Sequence, residues 1–305
     1  MRWSLPLLVL GVLLLPACGG GGTSGSNLTP PPDTVVKITS NDVGPITTTY
    51  RAVYDWQASV SVSGQALDTT VTGTLTIENE GTKTNYPVDP TKDGWSMKTT
   101  IVLRLTALQR ALIATAIENQ TGTRPDIPSE LPAVATVYVH EAEDGSRWSL
   151  GGVVDNPLSS EDPAPTYGGW WETPMLEVES TMFGGQTFGN DATDLLADDL
   201  VTVLATRSNS FSIASSTQEL DVLGKTYETY VTTVTETLAV EPSSPTALVA
   251  GGTGPTIATY TRWERPDMGI LAFQADDRTF TVDAGGTPTT ITLENMNGTI
   301  RSFTP

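Results

Sequence analysis

The sequence predicts a mainly β protein: a long-stranded, highly curved antiparallel sheet, or half barrel, with one covering helix. A two-sheet β-sandwich is the alternative. Three observations carry this expectation. The chain holds 49 threonines in 305 residues, and threonine is β-branched, stiff at χ1 and at ease on the wet face of a sheet. Long runs alternate apolar and polar residues with period two. One stretch alone carries a convincing helical period.

The first clear strand runs from Tyr50 to Val62. Its even positions are apolar or aromatic, including Tyr54, Trp56 and Val60, and its odd positions are mostly polar, including Arg51, Asp55 and Gln57. Ser63-Gly64-Gln65 reads as a turn. The next run inverts parity, with Leu67, Val71, Leu75 and Ile77 on one side and threonines on the other, so the two form an antiparallel hairpin. A third alternating run, Trp95 to Leu105, follows Asp93-Gly94. The period then changes. Leu108, Ala111, Leu112 and Ala116 lie at helical spacing from Thr106 to Gln120, and Ile113 and Ile117 widen the stripe. Thr106 and Gln109 fit a capping box and Gly122 a helix stop. This stripe is expected to cover the concave side of the sheet.

Further strands are expected at Val134 to His140, then Trp148 to Leu150 beyond an Asp144-Gly145 turn. Asn156 to Pro174 reads as a long irregular stretch and Asp191 to Leu200 as a short helix. Strands resume at Val201 to Thr206, Ser210 to Ser215, Tyr227 to Val240, Ile257 to Arg265, Ile270 to Gln274, Thr279 to Asp283 and Thr289 to Asn295, with a flexible loop from Glu241 to Gly254. One internal echo stands out. Thr69–Glu78 and Thr232–Glu241 share seven of ten residues.

The N-terminus gives an address. Leu5 to Leu15 is apolar but for Pro6 and Gly11, a length that suits a signal peptide and is too short to span a bilayer. It ends in Leu15-Pro16-Ala17-Cys18, followed by glycines. This resembles the lipobox of bacterial lipoproteins. The resemblance implies that residues 1–17 are a signal peptide and that Cys18, the sole cysteine, is lipidated as the mature N-terminus. Gly19 in place of Asp is permissive for the outer membrane in a diderm cell. Residues 18–33 then form a tether with little to bury, spanning roughly 20 Å r.m.s., and residues 34–305 form a single β-rich domain.

The back half carries a second resemblance. Gly224-Lys225-Thr226-Tyr227 and the stretch from Trp263 through Pro266 and Gly269 to Leu271 resemble the closing strands of envelope lipoproteins of the LolA/LppX group. That resemblance implies a half barrel with helices on its concave face and carries over no functional residue.

The formal charge of −19 repels nucleic acid and anionic lipid headgroups, so neither is an electrostatic partner. A single cysteine leaves no disulfide. His140 is the only histidine, and there is no G-x-S-x-G elbow, so no catalytic residues, metal site or cofactor are assigned. Asp191, Asp194, Asp198 and Asp199 cluster in sequence as hard oxygen donors that could bind a cation such as Ca²⁺, or as acids suited to a helix first turn. Tyr167, Trp170 and Trp171 could face a ligand or plug an open end of the sheet.

These readings lead to a non-enzymatic lipoprotein of the cell envelope, partnered with the membrane through its anchor and holding an apolar or lipid-like ligand in the curved sheet. The alternatives are a scaffold that engages another envelope protein without a ligand, and a carbohydrate-binding module.

Overall fold

The computed structural model describes residues 37–39, 46–62, 65–122, 124, 126–143, 146–155, 166–178, 181–241, 256–265, 268–275, 278–283 and 288–304. The leader, Cys18 and the tether lie outside these, as do the Ser63-Gly64 and Asp144-Gly145 turns, residues 156–165 and residues 242–255.

Sixteen strands follow one another: β1 (Lys37–Thr39), β2 (Arg51–Val62), β3 (Gln65–Asn85), β4 (Asp93–Arg104), β5 (Glu130–Glu141), β6 (Arg147–Asp155), β7 (Thr166–Val178), β8 (Thr181–Phe183), β9 (Thr187–Leu196), β10 (Val203–Ile213), β11 (Gln218–Val222), β12 (Lys225–Val240), β13 (Thr256–Arg265), β14 (Gly269–Ala275), β15 (Arg278–Asp283) and β16 (Pro288–Thr304). Among the described residues one helix, α1 (Ala107–Thr121), joins β4 to β5. All pairings are antiparallel, in the order β10-β9-β7-β6-β5-β4-β3-β2-β16-β14-β13-β12, and β12 pairs back onto β10. The expected half barrel is therefore a closed barrel of twelve strands. Closure satisfies both edges that an open sheet would leave unpaired.

Register fixes which side chains turn inward. Tyr54, Trp56 and Ala58 pair with Leu75, Gly73 and Val71, and the same parity passes across β4 to Ile101. On the other side Phe211 pairs with Val234, and Val234 with Tyr260. All of these apolar side chains belong to one buried cluster. The outward positions of β3 and β12 are largely threonine, as alternation predicts: Thr72, Thr74 and Thr76, then Thr233, Thr235 and Thr237. Cross-strand ion pairs such as Arg301–Asp55 and Arg51–Glu78 dress the outer wall.

An element packs against the core at each rim. At the rim where β2 begins, β11 and β12 form a hairpin whose Leu223-Gly224 turn has positive φ at both residues, the geometry that matches strand twist. Its Leu220, Val222 and Tyr227 join the core cluster beside Ile46, Tyr50 and Phe303. At the opposite rim α1 carries the expected capping box between Thr106 and Gln109 and ends at Gly122 in the left-handed region. Gln109 Nε2 donates to the Thr70 carbonyl at 2.8 Å, and Ala114 packs into the core. Part of the expected apolar stripe does not face the sheet: Leu108 is 67% exposed and Leu112 39%, while Ile113, Ala116 and Ile117 lie outside the described side chains.

Two other expectations are corrected. Asp191–Leu200 is not a helix: most of it is β9, whose ladder with β10 overrides local propensity. Residues 166–174 are not irregular but belong to β7. Gly168 and Gly169 there let β7 approach its neighbours closely. A Cβ on Gly168 would lie 2.1 Å from the Gly152 carbonyl oxygen, and one on Gly169 1.8 Å from that of Leu196.

Candidate functional site

The barrel interior has two characters. One wall is apolar. Trp56 lies flat across Gly73, where a Cβ would fall 2.5 Å from its ring, and Phe273 covers Gly298 in the same way. Phe273 meets Tyr54 edge-on at 6.0 Å, and Tyr54 donates its hydroxyl proton to the Ile270 carbonyl at 2.9 Å.

The facing wall carries charge. Arg207 on β10 and Glu236 on β12 pair at 2.5 Å, with side chains about nine-tenths buried. The Arg207 guanidinium lies over the Trp171 ring at 5.7 Å and directs a nitrogen to Met175 Sδ at 3.8 Å. Trp171 Nε1 donates to Ser149 Oγ at 3.2 Å. A second pair, Arg262–Glu264 at 2.7 Å, sits on β13, with Arg262 over the Phe211 ring. A third, Arg147–Glu141 at 3.5 Å, sits where β5 meets β6. Each of these three arginines pairs with a carboxylate. Most described inward side chains, from Met175 and Val234 at 0% to Arg207 at 8%, are almost inaccessible, while others such as Leu103 and Phe188 are half-buried. They fill the lumen instead of lining a channel.

Trp170 and Trp171 point to opposite sides of β7. Trp171 is buried inside. Trp170 is on the outer wall, stacked on Tyr138 at 4.6 Å across Gly151 and approached by Tyr86. Tyr138 covers one face of Trp170, and the pair forms no open platform for a sugar. Tyr86, fully buried, donates its hydroxyl proton to the Trp171 carbonyl. Burial, with Asp89 and Glu172 adding to it, pushes the Tyr86 hydroxyl pKa up to about 12.

The four aspartates do not converge. Asp191 is exposed, while Asp194 accepts from Thr206 Oγ1 at 2.6 Å. Asp198 is exposed. Asp199 shapes a turn, accepting from the Val201 and Thr202 amides and the Thr202 hydroxyl. Those three bonds, led by the Thr202 hydroxyl, hold its carboxyl below the usual range. No group of three or more metal-binding side chains occurs among the described residues. His140 Nδ1 donates to the Asp93 carbonyl at 2.7 Å, a structural role on β5.

The seam between β7 and β9 is different in kind. Only Trp170–Leu196 and Trp171–Leu195 pair across it. Beyond them the Thr193 hydroxyl takes over, accepting from the Thr173 amide at 3.1 Å and donating to its carbonyl at 3.4 Å. Pro174 follows and has no amide to give. Sequence reading missed this seam, and it missed the Arg–Glu pairs. Comparison with family models, curated proteins and solved structures gives no match.

Proposed function

We propose that this protein is a lipid-anchored, non-enzymatic protein of the cell envelope whose closed barrel serves as an interaction scaffold. The observation that carries this reading is the packed interior: most described inward side chains are buried, with residues of the β11–β12 hairpin packed against the core at one rim and Ala114 of α1 at the other. A carrier of lipid needs volume, and this interior spends its inward side chains on packing and on ion pairs. The outer wall supports the same reading. Its threonines and cross-strand ion pairs suit water, the reverse of the apolar band of a membrane-spanning barrel. The lipobox around Cys18 supplies the attachment, with the outer membrane favoured over the inner in a diderm cell. One acyl chain would hold the body only marginally, whereas the two or three of a mature lipoprotein hold it stably.

The test has two arms. Cys18→Ser should release the folded protein from membranes; retention would overturn the anchor. Mass spectrometry of organic extracts of the released body should find no lipid at one molecule per chain. A stoichiometric lipid would replace the scaffold by a carrier that opens to load.

A further inference from the structure

We propose that the outer wall running from β10 through β12, β13 and β14 to β16 binds an uncharged carbohydrate chain of the cell envelope, with Trp263 as its stacking platform. This rests on the scaffold reading and names the class of partner. Register lines up one row of outward side chains across six neighbouring strands. Ser212 pairs with Thr233, Thr233 with Thr261, Thr261 with Gln274, Gln274 with Asn297, and Asn297 with Gln57 on β2. Each is an uncharged hydrogen-bonding group, and Ser212, Gln274, Asn297 and Gln57 are exposed. Neighbouring strands lie about 4.8 Å apart, so the four central groups span about 14 Å. Trp263 stands beside the row, two residues along β13 from Thr261 and so on the same face. It is half-buried, and its Nε1 donates to Gln218 Oε1 at 3.1 Å, which orients the indole.

Charge selects the occupant. The chain has a formal charge of −19. Yet among the described residues no outward side chain is charged from Thr206 to Ser212 on β10, from Val231 to Ala239 on β12, or from Ile257 to Trp263 on β13. The same holds for Ala272 and Gln274 on β14. Charges begin at the borders, with Asp194 on β9, Arg265 at the end of β13, and Glu294 and Arg301 on β16. The cross-strand pairs Arg51–Glu78 and Arg104–Glu130 lie on other strands, β2 to β5. A charge-free wall on so acidic a chain gives an ionic partner nothing to pair with. Hydroxyls and amides dominate it, so it offers little to an apolar one. A neutral sugar chain matches both parts: its hydroxyls exchange hydrogen bonds with the row, and the C–H face of one ring stacks on the indole.

The experiment is a calorimetric titration of the full-length lipidated protein in micelles of a zwitterionic detergent without a sugar headgroup. The probes are N-acetylglucosamine tetramer and maltotetraose, both neutral, and galacturonate tetramer, which is anionic. A neutral probe should bind at one per chain, with the same affinity at about 0.05 and 0.5 M salt, because no ionic attraction is there to be screened. The anionic probe should bind at least about tenfold more weakly. Trp263→Ala should weaken the neutral probe about three- to tenfold. Gln274→Ala, at an exposed site, should weaken it about threefold or more without changing the melting temperature. Failure of both neutral probes to bind, equal or tighter binding of the anionic one, or unchanged affinity in the two variants would each overturn the proposal. One lipid per chain in the organic extract of a protein that still binds a neutral probe would remove the scaffold reading and leave the wall. A lipid-free protein that ignores both neutral probes would do the reverse.

Discussion

Two segments of nearly the same sequence face each other across the differing walls of the barrel. Thr69–Glu78 lies on β3 and Thr232–Glu241 begins on β12. Both turn three aliphatic side chains inward, Val71, Leu75 and Ile77 on one and Val234, Leu238 and Val240 on the other. The inward position in the middle differs: Gly73 on β3, Glu236 on β12. Gly73 leaves room for an indole, so its wall is completed by Trp56. Glu236 cannot stand alone in a core, so its wall is completed by Arg207. A shared alternating pattern sets the strand, and one inward residue sets whether the neighbourhood is solved by shape or by charge.

Glu236→Leu tests the charged wall most severely. It takes the carboxylate away from the buried Arg207 guanidinium and should cost about 3–5 kcal/mol in denaturant unfolding. Adding Arg207→Met should recover most of that loss, because apolar replacement of a whole buried pair is often neutral. If the double variant is as unstable as the single, the pair is not the unit that matters. Trp56→Ala should cost a similar amount, about 3–5 kcal/mol, by leaving a cavity over Gly73, with no recovery from any charge change.

Gly73→Ala comes next. The new methyl meets the Val102 carbonyl oxygen at 2.3 Å and the Trp56 ring, and overpacking of this kind costs about 1–3 kcal/mol. Tyr86→Phe removes one buried hydrogen bond, for about 1 kcal/mol. It also changes the pH profile. The folded pKa lies above the unfolded value of 10, so the Tyr86 contribution is complete below pH 10 and is lost as pH rises through 12. Thermal melts of wild type should show that loss between pH 10 and 12, and the Phe variant should lack this share of it. Smallest is Arg301→Ala on the outer wall. Its pair with Asp55 is more than half exposed and should be worth about 0.5 kcal/mol or less.

Much of the fold was legible because a buried face writes its period into the chain. Tyr50–Val62, Tyr227–Val240 and the capped helix at Thr106 show this. β7 was not legible, since Gly168-Gly169 and Pro174 read as breakers; here they mark close strand approach and a missing ladder bond. Asp191–Leu200 misled because Asp191 and Asp194 suit a helix first turn as well as a strand with a bulge. Closure was invisible, as nothing local states that β12 returns to β10. The charged wall did leave a signal. Glu236 falls on the same parity as Val234 and Leu238, and a charge on the apolar phase of a strand announces a buried partner. That phase was readable, but the identity of Arg207 required the register.

Placement of β16 has a consequence for how the protein comes into being. The C-terminal strand is hydrogen-bonded on one side to β2 and on the other to β14 and β15, and Arg301 reaches Asp55 across 246 positions of sequence. No ring can exist until β16 has emerged. Pairing of such high sequence separation is slow to form, and until then β2 and β14 present unsatisfied edges. On the reading of a lipid-anchored export product, the interval between arrival and final zipping is when this chain is most exposed to aggregation and proteolysis, and when it most needs a chaperone.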